Sequence, residues 1–410
     1  MFNVALIEDT SYRNVDISVR LRAVAGEVDQ GGGIVWRAQD ARNYYIARYN
    51  PLEDNFRVYF VKDGRRRTIA GASLRVDHEA WHTLRVKMVG DHIECLLDGE
   101  KHLDARDTTF TAAGRIGLWT KADAVTHFDD LEVHVPGRSL DAEAIGAAAG
   151  TTASATEDGI VRVTWARSDV PVRVDGMSFP VAAGLTSWAA FAPTATESMV
   201  MGDTVVFQDE VSAAMDAAFA HGLDITALHN HFFYDEPRVY FMHIGGHGDA
   251  VELAHGVKAI WDAIRGVRRK LDKPANSFPG AVPASGVIDE AMISRITGEK
   301  AAVKGGGVVK VSIGREAAMH GASFSGSMGL TTWAAFTGSD ELATIDGDFG
   351  MTAGEVQPVL RALRRAGIHV VALHNHMVGE EPAYYFTHFW GKGPAAELAR
   401  GFRSALDAQR

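Results

Sequence analysis

The chain has 410 residues, 46% of them hydrophobic and 23% charged, a composition that sustains two or three cored domains and argues against disorder. A formal net charge of −11 disfavours nucleic acid as a partner, because a phosphate-tracking surface needs clustered Lys and Arg. Cys95 is the single cysteine, which rules out an intrachain disulfide and a thiolate zinc site.

The N-terminal stretch MFNVALIEDTSYRN lacks a cationic run followed by an apolar one, and no run of 18 apolar residues exists anywhere in the chain. Neither a signal peptide nor a membrane span is expected. The chain as written is expected in the cytoplasm, and exported if its N-terminus has been processed. Residues 1–136 read as an all-β unit. Ile17, Val19 and Leu21 alternate with polar residues, as do Leu84, Val86 and Met88, then Ile93, Cys95 and Leu97. Gly90-Asp91 and Asp98-Gly99 punctuate that period of two, the pattern of antiparallel hairpins in a β-sandwich. The basic run Arg65-Arg66-Arg67 follows Asp63-Gly64 and reads as a solvated hairpin end. WRAQDARNYYIARYN (36–50) and GLWTKAD (117–123) hold the materials of sugar recognition, but Trp36, Trp81 and Trp119 are expected in the sandwich core. HVPGRS (134–139) reads as a linker.

The remainder is a duplication. GLTSWAAF (184–191) returns as GLTTWAAF (329–336), and ITALHNHFFYDEPRVYFMH (225–243) returns as VVALHNHMVGEEPAYYFTH (370–388), each 145 residues on. Two repeats, 138–272 and 287–410, therefore share one fold, joined by the Pro-, Gly- and Ser-rich KPANSFPGAVPASG (273–286). Each reads as β-β-α-β-β-α. The first helix carries Val211, Met215, Ala218 and Phe219 in one copy and Val356, Leu360 and Leu363 in the other, and ends at Gly222 or Gly367. The expected fold class is multidomain: an N-terminal all-β sandwich plus two tandem α+β repeats, with helices against one face of an antiparallel sheet.

Residues two apart on a strand share a face, so His229 and His231 point together while Asn230 points away. If the returning strand pairs in even register, with 241 or 243 opposite 229, His243 joins them. Glu236 lies in the turn between. Three imidazoles and a carboxylate are a ligand set for a divalent ion such as Zn, Mn, Fe or Cu. The second copy supplies His374, His376, Glu381 and His388. The H-x-H-x4-E spacing matches the chemistry of cupin metal motifs but not their fold, since a cupin's last histidine lies much farther along. Glu236 and Glu381, where not ligands, would act as general bases to a metal-bound water. The competing reading is a structural polar cluster kept by shared ancestry, and His247 stands against Lys392, so the copies differ nearby. An HNH nuclease is a poor match, because that motif is three scattered residues in a ββα metal unit and the net charge opposes DNA binding. Asp203 and Asp348 read as turn residues, or as acceptors orienting a ligating histidine. Glu210 and Glu355 read as helix-opening carboxylates, Trp188 and Trp333 as core, and Tyr240 and Tyr385 as packing away from the histidines.

These residues carry a resemblance. GLTSWAAF, ALHNH with the following EPR and MH, and their second copies resemble the LppY/LpqO (DUF1259) family over about 138–410. The family is named after lipoproteins, whereas this chain shows no signal and no N-terminal lipidated cysteine. DQGGGIVWRAQDARNYYIARYNPLEDNFRVY and GLWTKADAVTHFDDLEV resemble the concanavalin-like jelly roll of the 3-keto-disaccharide hydrolase and laminin-G-like group, which implies a glycan as a partner. The expectation is a metal-binding protein, a metal-dependent enzyme of hydrolytic or oxidative type acting on a small molecule or a carbohydrate-related substrate. The alternative is a non-catalytic carbohydrate-binding scaffold with structural histidine clusters.

Overall fold

The computed structural model describes residues 2–75, 77, 80–136, 139–156, 158–194 and 197–409; two residues of the expected linker, 137 and 138, lie outside them. The chain divides into two compact units, Met1–Leu140 with Pro193–Ser198, and Asp141–Ala192 with Met199–Arg410.

The first unit is a sandwich of two antiparallel sheets. The six-stranded sheet runs Phe2–Leu6, Arg115–Lys121, Gly32–Asp40, Asn43–Asn50, Asn55–Lys62, Arg65–Ser73, and the five-stranded sheet runs Val125–His134, Val15–Ala25, His82–Val89, His92–Leu97, Glu100–Arg106. Asp63-Gly64 and Asp98-Gly99 both take positive φ at both residues, the backbone of tight hairpins whose twist matches the flanking strands. Ile17, Val19, Leu21, Leu84, Val86, Met88, Ile93, Cys95 and Leu97 fill the core between the sheets, as their alternation requires. Trp36 and Trp119 are buried too, together with Tyr44, Tyr45, Tyr49, Arg37 and Arg48, so most of the candidate sugar-stacking residues are structural. Trp81 departs from expectation: it is exposed, with the Arg20 and Arg22 guanidiniums over its ring.

In the second unit the strands of the first repeat are β1 (Ala153–Ala155), β2 (Val161–Ala166), β3 (Thr186–Pro193), β4 (Ser198–Phe207), β5 (Asp224–His229) and β6 (Val239–Gly248). Those of the second are β7 (Ala301–Val303), β8 (Val309–Gly314), β9 (Thr331–Gly338), β10 (Ala343–Met351), β11 (His369–His374) and β12 (Tyr385–Gly393). All twelve form one sheet, ordered β1-β2-β3-β4-β6-β5-β11-β12-β10-β9-β8-β7. The repeats meet where β5 pairs antiparallel with β11, Leu228 opposite Leu373, two residues at equivalent positions. The β-β-α-β-β-α unit expected of each repeat is present, with helices α2 (Val211–Ala220), α3 (Ala250–Arg268), α5 (Ala353–Arg365) and α6 (Ala395–Asp407). Each is preceded by a further helix, α1 (Ala142–Ala149) or α4 (Glu290–Thr297), and by two more strands.

One face of the sheet packs on the helices. Leu228, Met242, Ile244, Phe349 and Phe389 are buried, the last two with their rings against Phe402 of α6, each worth about 1.5–3 kcal/mol of transfer free energy. Side chains cross the seam between the repeats. Gln357 on α5 accepts from the Ile225 N–H (3.1 Å) and donates to its carbonyl (2.7 Å), while Arg364 pairs with Asp216 and Arg361 with Asp224. At the position equivalent to Asp224, His369 instead bonds through Nδ1 to the Ser212 hydroxyl of α2 (2.7 Å). Glu210 and Glu355 are structural, as expected, but through ion pairs. Glu210 lies fully buried between Arg167 and Arg268, and Glu355 meets Arg315 while completing a capping box with Thr352.

Candidate metal centre

The histidines stand on the sheet face turned away from the helices. His229 pairs with Phe241 and Ala227 with His243, the even register that puts His229 and His243 on one side. The ring centroids of His229 and His231 lie 5.2 Å apart, and those of His229 and His243 5.1 Å apart. The second repeat gives 5.1 Å for His374–His376 and 5.0 Å for His374–His388. Each LHNH stretch thus gathers three imidazoles.

The second histidine of each stretch lies beyond the end of its strand and is held by stacking. His231 lies flat on Phe241 and His376 on Phe386, with centroids 3.3 and 3.5 Å apart. Phe241 belongs to a small apolar cluster with Val172, Leu185 and Val239, and Phe386 to one with Ala317, Leu330 and Tyr384, so each imidazole rests on a fixed floor. The intervening asparagines are structural: Asn230 donates to the Val239 carbonyl and Asn375 to that of Met377. His388 Nδ1 meets the Gly347 carbonyl at 3.2 Å. A carbonyl only accepts, so Nδ1 carries the proton and Nε2 is left with its lone pair, the arrangement that ligating imidazoles adopt.

The carboxylate facing the imidazoles differs from the one the spacing suggested. Asp348 is in mid-strand on β10, directly opposite His388, and Asp203 holds the equivalent place on β4; neither is a turn residue. Asp348 Oδ2 lies 3.4 Å from His376 Nε2, and ligand atoms of Asp348, His374 and His376 all lie within 4.8 Å of one another. In the first repeat Asp203 Oδ1 lies 3.9 Å from His243 Nε2. Glu236 and Glu381 are exposed, and Glu381 is outside that group of three. Their backbones pair with an accessory hairpin, Glu236 opposite Arg173 and Glu381 opposite Ala318. Their neighbours Asp235 and Glu380 turn inward and accept from the Val239 and Tyr384 N–H groups. The turn uses its acids to close itself, and the sheet provides the acid that meets the histidines.

Electrostatics set these groups apart. Asp348 is 3% exposed, and its Oδ1, like Oδ1 of Asp203 and Nδ1 of His374, is buried with no hydrogen-bond partner. Burial pushes both carboxyls above the usual carboxylate range, against the pull of the facing imidazoles. Burial also lowers His231, His374 and His376, each helped by neighbouring imidazoles, with Asp203 opposing at His231 and Asp348 at His376. A desolvated acid without a donor beside imidazoles held neutral is what a bound cation would resolve. A second group, His92, Glu94 and Asp104 on the sandwich, is different: Lys101 already bonds both carboxylates at 2.8 Å.

Trp188 and Trp333, expected in the core, are half-buried on the histidine face. Trp333 pairs directly with Asp348, and the Lys310 ammonium lies 3.9 Å over its ring; Arg162 lies 4.5 Å over Trp188. Arg162 and Lys310 are 148 residues apart rather than 145, so a fixed-offset comparison misses them. The signal for the aspartates was present, since Gly202-Asp203 returns as Gly347-Asp348 inside a stretch of strand-like sequence.

A family model described as Domain of Unknown Function (DUF1259) matches residues 143–263 and again 291–408. Among solved structures, the chain is similar to a carbohydrate-binding module, CBM66 from Bacillus subtilis, with 22% identity over 32% of this chain and 80% of that one and a TM-score of 0.30. It is also similar to sheep galectin-11 in complex with glycerol, at 5% identity over 33% of this chain and 96% of that one (TM-score 0.25). A third is galectin LEC-6 from Caenorhabditis elegans, at 13% identity over 32% and 89% (TM-score 0.26). No curated protein matches the chain. Among the described residues, no helix is long and apolar enough to cross a membrane.

Proposed function

The chain belongs to the family described as Domain of Unknown Function (DUF1259), and we propose that it is a metal-dependent enzyme, hydrolytic or oxidative, that holds divalent ions at the two His–His–His–Asp clusters. Asp203 with His229, His231 and His243 would bind one ion, and Asp348 with His374, His376 and His388 the other. The observation that carries this reading is the unpartnered Asp348 carboxylate oxygen, buried beside the imidazoles of His374 and His376 and across the strand pair from His388. A structural polar cluster would pair its acid, because an unsatisfied buried charge costs several kcal/mol.

Bound Zn, Mn, Fe or Cu would supply either an activated water or a place for O₂. The protein's own contribution is orientation. Phe241 and Phe386 fix two imidazoles, the Gly347 carbonyl sets the tautomer of His388, and the half-buried tryptophans flank each cluster with one face loaded by a cation. Tryptophan beside polar groups is a surface on which a sugar ring stacks, and this supports a small-molecule or glycan substrate. The exposed Glu236 and Glu381 stand off the clusters, so the carboxylates assigned to the ions are the aspartates. In the sandwich, Trp36, Trp119 and the tyrosines of 44–49 are packed inside, which weighs against a purely sugar-binding scaffold.

Elemental analysis after metal repletion and desalting tests the reading. Two ions per chain are expected in the parent protein and one in the His374→Ala/His376→Ala double variant. A folded parent protein that retains no divalent metal would overturn it.

A further inference from the structure

The two clusters are not independent surfaces. Leu228 opposite Leu373 makes β5 and β11 neighbours, and continuing that register by one residue sets Ala227 beside His374 and Ala372 beside His229. Ala227 also pairs with His243, and Ala372 with His388. Across the seam two rows result, His374–Ala227–His243 and His388–Ala372–His229, each with an alanine between histidines of different repeats. In each row an alanine methyl stands between the histidines. His229 and His374 line one cavity of about 470 Å³, with Ala227, Asn375 and Tyr385 also on its wall.

We propose that the two clusters form one bipartite site, taking a single ligand with an anionic oxygen group at each end, laid over Ala227 and Ala372. This rests on the metal reading above. The cluster centres are about three strand spacings apart, roughly 14 Å, too far for one oxygen to bridge two ions and suited to a ligand with two separated heads. Charge points to an anion: two divalent ions outweigh Asp203 and Asp348, and the Arg162 and Lys310 cations flank the face. The ends are unequal. Asp346 and Trp390 border the second cluster where Met201 and Gly245 border the first, so a ligand with two different ends would bind in one orientation.

Titration of the metal-loaded full chain with α,ω-dicarboxylates of increasing length, beside monocarboxylates of matched length, tests this. The expected result is an affinity maximum at a carboxylate separation of roughly 14 Å, about a hundredfold above the monocarboxylate, because the second contact becomes intramolecular. Ala227→Leu should keep both ions and lose that maximum, and Asp203→Ala/His243→Ala should keep one ion and bind both series alike. Two ions with no dependence on length would overturn the bipartite site and leave the metal reading intact. No bound ion in the parent protein would remove both.

Discussion

Asparagine in place of Asp348 separates a metal-ready carboxylate from a structural one. The side chain is 3% exposed, its Oδ1 has no partner, and its Oδ2 lies 3.4 Å from His376. Asp348→Asn keeps the shape and removes the charge. In metal-free protein, replacing a desolvated carboxylate by a neutral amide should raise stability by about 2 kcal/mol, which for a unit of this size is roughly 4 °C in the melting temperature. With metal the sign reverses. An ion at a hundred times its Kd stabilises the parent by about 2.7 kcal/mol, and most of that is lost without the anionic ligand. The melting curves should therefore exchange order between EDTA and metal. The pH dependence follows the same logic: burial raises the folded carboxyl pKa above its ordinary 3.8, so the stability the acid contributes is full below 3.8 and is lost as pH rises through the folded value. The variant should not show this loss. A variant less stable than the parent in EDTA, or one as strongly stabilised by metal, would refute the argument.

Three further outcomes are expected. Burial, reinforced by Arg364 and opposed by Asp216, holds His369 below its ordinary 6.5, so its contribution is present above pH 6.5 and disappears as pH falls through the folded value; His369→Gln should flatten urea midpoints between pH 7.5 and 5.5 relative to the parent. Glu210→Ala removes the carboxylate shared by the buried Arg167 and Arg268, which keep Asp169 and Asp209, and should cost about 1–3 kcal/mol, read by denaturant unfolding; no loss would show that the remaining acids suffice. Gln357→Ala leaves the Ile225 N–H and carbonyl without their cross-repeat partner and should cost about 1–3 kcal/mol, with faster amide exchange at Ile225.

Local periodicity carried much of this architecture. The alternation through Ile17, Leu84 and Ile93 marks the sandwich because a half-buried strand has a period of two. The same parity placed His229 and His231 on one face, and a single assumption about register added His243. The carboxylate was harder to read. Glu236 follows the histidines at a suggestive spacing, but spacing says nothing of which of two adjacent acids a turn will bury, and Asp235 takes that role. Asp203 comes from a strand that precedes α2 in the chain and reaches the site only through sheet order. Trp188 reads as core because half the sheet face is open, a tertiary property. The shift from a 145- to a 148-residue offset hid the partnership of Lys310 with Trp333.

The pairing of Leu228 with Leu373 joins like to like about an approximate dyad. A lone repeat would end in the naked edge of β5, with its peptide groups unmatched, and the partner best shaped to cover that edge is another copy of itself. The fused polypeptide thus retains the geometry of a homodimer while releasing its halves from identity, so that Met201 could drift from Asp346 and Gly245 from Trp390 without disturbing the contact that unites them.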